Sequence, residues 1–114
     1  MSAEVLIMDT LKPMGCPIAP DIYDGKEKKY YTYNIADDRG AYFGDDEPLS
    51  NRVSVQVHFF LPMEENYIRI RNQTRQKLFK AGFTYPVISM TTETDTRKRH
   101  IIFECEIEEE MEEE

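Results

Sequence analysis

The chain is predicted to fold as one α+β domain, a mainly antiparallel sheet of about four strands with two helices packed on one face. Three observations predict this class. Apolar residues occupy every second position over residues 53–61, as in a half-buried strand, and recur at helical spacing after Asn66. The elements follow one another as helix, strands, helix, strands, an order that a single sheet satisfies best.

The acidic residues are unevenly placed along the chain. The 114 residues carry a formal net charge of -8 from 22 acidic and 14 basic residues, and eight of the acids lie within residues 104–114. The other 14 acids therefore balance the 14 bases. We predict a domain over residues 1–107 and an acidic, disordered tail over residues 108–114, which we interpret as favouring solubility rather than docking.

Composition indicates a folded protein made in the cytoplasm. Hydrophobic residues make up 40% of the chain and aromatic residues 11%, more than a disordered chain contains. We find no apolar run long enough for a membrane span, and Glu4 and Asp9 lie where a signal peptide needs positive charge. Cys16 and Cys105 are too few and too far apart for a zinc site or redox pair, so both are expected to be reduced.

The first helix is predicted from Ser2 to about Leu11. Ser2 is a suitable N-cap, Glu4 in the first turn suits the helix dipole, and Pro13 prevents continuation. The apolar run at residues 5–8 covers all sides of this helix. The side facing away from the core is covered either by a neighbouring chain or by the segment 17–23, and the sequence does not choose between them.

Two strands are predicted before the second helix. Residues 30–35 are rich in aromatic and branched residues, with a turn expected at residues 37–40 and a short return at residues 41–43. The strand over residues 53–61 has one apolar side and ends at Pro62, which cannot donate to a ladder. Residues 84–92 and 99–107 form a predicted hairpin around the polar turn at residues 93–98.

The second helix is predicted to begin at Asn66 and to end at Gly82. Five of its residues form one core-facing stripe: Tyr67, Ile70, Thr74, Leu78 and Ala81. Ile68 and Phe79 form a second apolar ridge beside Arg71 and Arg75. We favour a wider core face for this ridge over a subunit contact.

No residue pattern predicts catalysis, so we expect neither enzyme activity nor a cofactor. His58 and His100 are each expected to be a surface or hydrogen-bonded histidine, and phosphate-loop, nucleophile-elbow and zinc-protease motifs are missing from the sequence. A loop carries five acids: Asp37, Asp38, Asp45, Asp46 and Glu47. They could ligate a hard cation, but their spacing is not that of a calcium loop. A solvated loop or an acidic face for a basic neighbour is the favoured interpretation.

Basic residues cluster on the second helix and at residues 97–100. Such clusters can bind phosphate backbones, but a neutral body with an acidic tail is poorly suited to general nucleic-acid binding. We therefore expect no specific nucleic-acid binding. The helix bases are expected to be solvated or to pair with acids of an adjacent chain.

Several segments resemble one protein family along nearly the whole chain up to about Ile107. The first are Leu11-Lys-Pro-Met-Gly-Cys-Pro-Ile18, Tyr30-Tyr-Thr-Tyr-Asn34 and Phe43-Gly-Asp-Asp46. They are followed by Val53-Ser-Val-Gln-Val-His-Phe59, Asn66-Tyr-Ile-Arg-Ile-Arg71, Ala81-Gly-Phe83 and Ile102-Phe-Glu-Cys-Glu106. Together these segments resemble the tail-completion or tail-terminator proteins of long-tailed phages and prophages of Gram-positive bacteria.

The resemblance implies a structural virion protein of the lambda tail-terminator type. Copies would form a ring, expected to be a hexamer, at the head-proximal end of the tail tube. Made in the host cytoplasm, the ring would stop tube growth, contact the major tail protein and present a surface to the head-completion or connector protein. DNA would pass through the ring without specific binding, and no membrane would be involved.

A ring built from head-to-tail contacts needs two complementary surfaces on each subunit. We assign one to the acidic loop with its arginine, and the other to the second helix. The candidate interface residues are Asp37, Asp38, Arg39, Asp45, Asp46, Glu47, Ile68, Arg71, Arg75 and Phe79. Two other roles stay open: a head-completion adaptor of the same virion, or a small interaction module that binds a partner through its sheet edge.

Overall fold

A five-stranded mixed sheet and two helices make up the computed structural model, which describes residues 2–110. The helices are α1 (Ala3–Leu11), which continues into a short 3₁₀ turn (Lys12–Met14), and α2 (Ile68–Lys80). The strands are β1 (Ile18–Pro20), β2 (Tyr30–Gly44), β3 (Glu47–Pro62), β4 (Val87–Glu93) and β5 (Lys98–Glu110). They lie in the order β1-β2-β3-β5-β4, and only the β1–β2 pair is parallel.

The predicted α+β class with two helices on one sheet face is confirmed, but the strand count is five. The additional strand, β1, lies in the proline-containing segment after α1, where no strand was predicted. It pairs with residues 31–33, and the Tyr31 amide also donates to the Pro17 carbonyl at 2.8 Å. Pro20 is tolerated because β1 is an edge strand, whose outer side needs no ladder hydrogen bond.

The core lies between the helices and one face of the sheet. On β3, the predicted inward residues are all buried: Val53, Val55, Val57, Phe59 and Leu61. Ile7 and Leu11 of α1 and Leu78 of α2 pack against them and are fully buried. On β5, Ile101, Phe103 and Cys105 complete this layer, and burial raises the pKa of the Cys105 thiol to about 12.

The helix ends follow the predicted capping chemistry. The Ser2 hydroxyl accepts a hydrogen bond from the Val5 amide at 3.3 Å, and the Asn66 side chain accepts one from the Ile68 amide at 2.9 Å. After α2, Gly82 has a φ of 117° and the Phe83 amide donates to the Leu78 carbonyl. This left-handed stop returns the buried Phe83 side chain to the core.

The expected turn at residues 37–40 is wrong. β2 runs straight through it to Gly44, and the turn lies at Asp45 and Asp46, which have φ values of 53° and 66°. A register shift between Ile35 and Asp37 leaves Ala36 as an extra residue in the ladder with β3. This bulge exchanges the two sides of the strand, so Asp37 lies on the helix-free face instead of over the core.

Two further expectations differ from the structure. Ile68 and Phe79, which we favoured as core residues, are each 50% exposed because no strand or helix within residues 2–110 covers that flank of α2. β5 continues three residues beyond the expected domain end at Ile107, and Glu108–Glu110 pair with residues 50–52 of β3. The rest of the predicted acidic tail, residues 111–114, lies outside the described residues.

Candidate interaction surfaces

Within residues 2–110, the β2–β3 hairpin extends past the other strands of the sheet. Ser50 is the last β3 residue that pairs with β5, so within residues 2–110 no third strand borders residues 42–49, which we call the hairpin tip. The molecule is accordingly elongated, with extents of 54 × 25 × 24 Å. A hairpin is normally stabilised by a third strand or by packing against a helix. Within residues 2–110 the hairpin tip has no third strand beside it, and its large side chains are exposed to solvent.

The hairpin tip combines exposed apolar residues with negative charge. Tyr42, Phe43 and Leu49 are between 60% and 66% exposed, although such residues usually pack into a core. The acids Asp45, Asp46 and Glu47 follow one another at the turn and form no ion pair within the described part of the chain. The turn is of the two-residue type that needs two left-handed residues, which aspartate tolerates better than most.

The structure divides the predicted acidic cluster into two parts. Asp37, Asp38 and Arg39 lie next to the bulge, seven or so residues along β2 from the turn, or roughly 20 Å away. Arg39 forms an ion pair with Asp37 there, and Arg52 of β3 pairs with Glu106 of β5 at 3.1 Å. Near the bulge, therefore, two acids already have an ion-pair partner, whereas within residues 2–110 none of the three acids of the hairpin tip has one.

The second surface lies on α2. Ile68, Arg71, Arg75 and Phe79 recur at helical spacing and share the side of α2 next to its buried residues Thr74 and Leu78. The segment after α2 adds Tyr85, whose ring meets Phe79 edge to face with centroids 5.4 Å apart. We call these five residues the α2 flank. The structure thus brings together four residues that the sequence assigned to an interface and adds a fifth.

One arginine of the α2 flank is held in place. The guanidinium of Arg75 lies 4.6 Å from the centre of the Tyr85 ring, and its Nε donates to the Pro86 carbonyl at 3.0 Å. Arg71 lies over the Tyr67 ring at 5.5 Å. These contacts limit the motion of the two arginine side chains. The arginines would therefore lose less conformational entropy when they bind an acidic partner.

The charge of α2 is of one sign. The helix contains Arg69, Arg71, Arg75, Lys77 and Lys80 and no acidic residue. None of the five forms an ion pair with an acid in residues 2–110. The helix is therefore a positive surface that nothing in the described chain neutralises, opposite in sign to the hairpin tip.

The helix-free face of the sheet carries a polar network around two histidines. The amide nitrogen Nδ2 of Asn34 donates to Gln56 Oε1 at 3.2 Å. Its amide oxygen Oδ1 can only accept, and it accepts a hydrogen bond from His58 Nε2 at 2.8 Å. His58 Nδ1 then accepts from His100 Nε2 at 2.7 Å. Partial burial lowers the pKa of both histidines, and for His58 the neighbouring His100 lowers it further. Both rings are thus favoured in their neutral forms.

This network does not have the layout of a metal or catalytic centre. Within residues 2–110, no group of three or more His, Cys, Asp or Glu side chains is arranged to hold a metal ion. Both nitrogens of the His58 ring are engaged in hydrogen bonds, with His100 and Asn34. The ring of His100 also stacks on Phe60 with centroids 4.2 Å apart, which is typical of a packed sheet face.

No protein-family model matches this chain, and a search of curated proteins finds no significant match. Neither helix within residues 2–110 has the length and apolar character needed to cross a bilayer.

Sequence reasoning missed the apolar part of the hairpin tip and the contribution of Tyr85 to the α2 flank. Tyr42 and Phe43 were interpreted as part of a short return strand, because the turn was placed too early, and Leu49 was given no role. Two adjacent aspartates before a second strand were a usable signal, since aspartate tolerates left-handed turns. Tyr85 gave no signal of its own, because its contact with Arg75 depends on the chain turning back at Gly82.

Proposed function

We propose that this protein is a structural virion component that caps the head-proximal end of a phage tail tube. A ring of copies ends tube growth and joins the tail to the head, contacting the major tail protein on one side and the connector on the other. The role is one of shape and charge, with no catalysed reaction. DNA passes through the ring without a specific contact.

One observation carries this proposal. Each subunit has a projecting hairpin tip with three unpaired acids and an α2 flank with unpaired arginines, all within the described residues. Two different surfaces of opposite charge on one small domain are what a closed head-to-tail ring requires. The α+β fold, with two helices on one face of a sheet, also agrees with the fold that the family resemblance implies.

Electron microscopy of tubes tests the proposed role. Tubes assembled from the major tail protein of the same virion should carry density at one end after the purified protein is added, and should stop growing. Binding to DNA-filled heads without capped tubes would favour a head-completion adaptor instead. Tubes that keep growing with bare ends, and heads without added density, would contradict both virion roles.

A second candidate function rests on the edge strand β4. Within the described chain this seven-residue strand pairs with β5 on one side only, so the backbone groups of its other side are available to an added strand. Partners of interaction modules commonly bind in this way. The amides of residues 87, 89 and 91 face β5, so the free side carries those of the residues between them and of Thr92. Replacing the exposed Thr92 by proline would remove one outward backbone donor, and should weaken partner binding if the module interpretation is correct while leaving tube capping unchanged.

A further inference from the structure

The hairpin tip and the α2 flank match each other in chemistry. The hairpin tip presents Tyr42, Phe43 and Leu49 beside three acids, and the α2 flank presents Ile68, Phe79 and Tyr85 beside two arginines. Apolar contact supplies the area of such an interface, and the charges fix its register. A contact between two surfaces that each combine aromatic residues with unpaired charge is more specific than a contact between opposite charges alone.

We infer that the hairpin tip of one copy docks on the α2 flank of the next copy. This inference rests on the proposed ring and names the two surfaces that build it. The contact is head-to-tail, so each subunit uses its hairpin tip once and its α2 flank once, and the ring closes when the rotation between copies allows it. A tip-to-tip contact would instead bring six acids together.

The projection of the hairpin explains how the contact is reached. The hairpin tip extends by about four residues per strand past the last third-strand pair, or roughly 13 Å beyond the sheet. That length lets the tip lie over a neighbouring subunit while the two sheets remain separate. The arginine Arg75, already fixed against Tyr85 and the Pro86 carbonyl, then meets an acid without further ordering.

Site-directed cross-linking tests the pairing of the two surfaces. In a Cys16→Ser background, one preparation carries Leu49→Cys at the hairpin tip and the other carries Asn72→Cys, an exposed position between Ile68 and Arg75 on α2. A short bismaleimide should join the two preparations to each other when they are mixed, both at high concentration and on tail tubes. Cross-links only between two Leu49→Cys chains, or none under either condition, would overturn the inference.

Charge exchange tests the same contact by a second route. Asp45→Asn with Asp46→Asn and Glu47→Lys keeps the turn, because asparagine accepts the left-handed conformation. Arg71→Glu with Arg75→Glu reverses the α2 flank. Each set alone should weaken self-association at least about tenfold, and the two preparations mixed together should recover most of it. Circular dichroism and urea unfolding establish that each variant folds.

A matched control lies on the same helix. Lys77→Glu with Lys80→Glu makes the same charge change as the α2 flank reversal but on the other side of α2, and should leave self-association within about twofold. Equal loss in the control and in the α2 flank variant would contradict the inference. The two proposals can fail separately. Copies that cross-link but leave tube ends bare would support the contact between copies and contradict the tail role. Capped tubes without cross-links would support the tail role and contradict this contact.

Discussion

The two halves of the β2–β3 hairpin differ in the burial of their large apolar residues, although they belong to the same pair of strands. In the half near Tyr31 and Phe59, a parallel strand, a third antiparallel strand and two helices surround the hairpin, and the side chains of these two residues are fully buried. In the hairpin tip no strand of the described chain borders the pair, and Phe43 is 66% exposed. Burial here is decided by the layers around a strand, since both halves contain large apolar residues.

The comparison separates residues that stabilise the fold from residues that are available to a partner. Large apolar groups left in water bring no folding energy, so their presence at the hairpin tip indicates another use. The same contrast occurs on α2, where Leu78 is fully buried and the adjacent Phe79 is 50% exposed. Substitutions in the two regions should therefore affect different measurements.

The largest predicted difference is between two phenylalanines. Phe103→Ala empties part of the core beneath the helices and should lower the free energy of unfolding by about 3–5 kcal/mol. Phe43→Ala should change it by less than about 0.5 kcal/mol, because the ring has little to lose in the monomer. Urea unfolding of both variants measures the difference. A comparable loss from Phe43→Ala would show that the hairpin tip packs on the body of its own chain.

A smaller effect is expected at the buried hydrogen bond between β2 and α2. The hydroxyls of Tyr31 and Thr74 lie 2.8 Å apart with both side chains fully or nearly fully buried, and burial raises the pKa of the tyrosine. Thr74→Val leaves the tyrosine hydroxyl without a partner and should cost about 1–3 kcal/mol of unfolding free energy.

Two companion variants sharpen this prediction. Tyr31→Phe combined with Thr74→Val removes both hydroxyls, so the double variant should be more stable than the sum of the single losses implies. Thr91→Val makes the same substitution on the exposed edge strand β4 and should be close to neutral. Strictly additive losses in the double variant would mean that the two hydroxyls contribute independently.

Sequence periodicity and capping residues predicted the elements in which residues at regular intervals face the same layer of the fold. The alternation in β3 and the core-facing stripe of α2 could be read directly, because every second or every third to fourth residue faces the same layer. The caps at Ser2 and Asn66 are local hydrogen bonds, so the residue type alone indicates them. For these parts the predicted inward residues and the capping side chains agree with the structure, although β3 begins earlier than predicted and α2 begins at Ile68.

The features that escaped prediction depend on contacts distant in sequence. Residues 37–40 have good turn composition, but pairing with β3 on one side holds them in a strand and moves the turn to Asp45 and Asp46. β5 extends to Glu110 because residues 50–52 of β3 offer it a ladder. Phe79 was assigned to the core because periodicity gives the angle of a side chain around the helix and not the width of the layer that covers it.

The smallest predicted effect concerns pH and the helix-free face of the sheet. Because burial lowers the pKa of His58 and His100, the native state holds fewer protons than the unfolded chain below the ordinary histidine value of about 6.5. The free energy of unfolding should therefore be unaffected by these groups above that pH, and should fall as the pH drops below it toward their folded-state pKa values.

Protonation of His58 also breaks a specific contact. A proton on its Nδ1 would face the Nε2 proton of His100, so the 2.7 Å hydrogen bond between the rings could not persist without a ring moving. Glu93 acts in the opposite direction on His100, by raising its pKa, and Lys98 of the same face bonds to the Tyr30 hydroxyl. Urea unfolding between pH 7.5 and 5 should show a loss of stability that is smaller in His58→Gln, because the glutamine takes up no proton.

The pH series also distinguishes the two regions of the hairpin. Neither the hairpin tip nor the α2 flank contains a histidine, the side chain whose ordinary charge change falls between pH 5 and 8. Self-association through the hairpin tip and the α2 flank should consequently be nearly constant between pH 7.5 and 6, while the stability of the sheet already declines. Sedimentation measured beside urea unfolding across this range would test the separation. A parallel loss of both at pH 6 would mean that the histidine face, rather than the hairpin tip, contributes to the contact between copies.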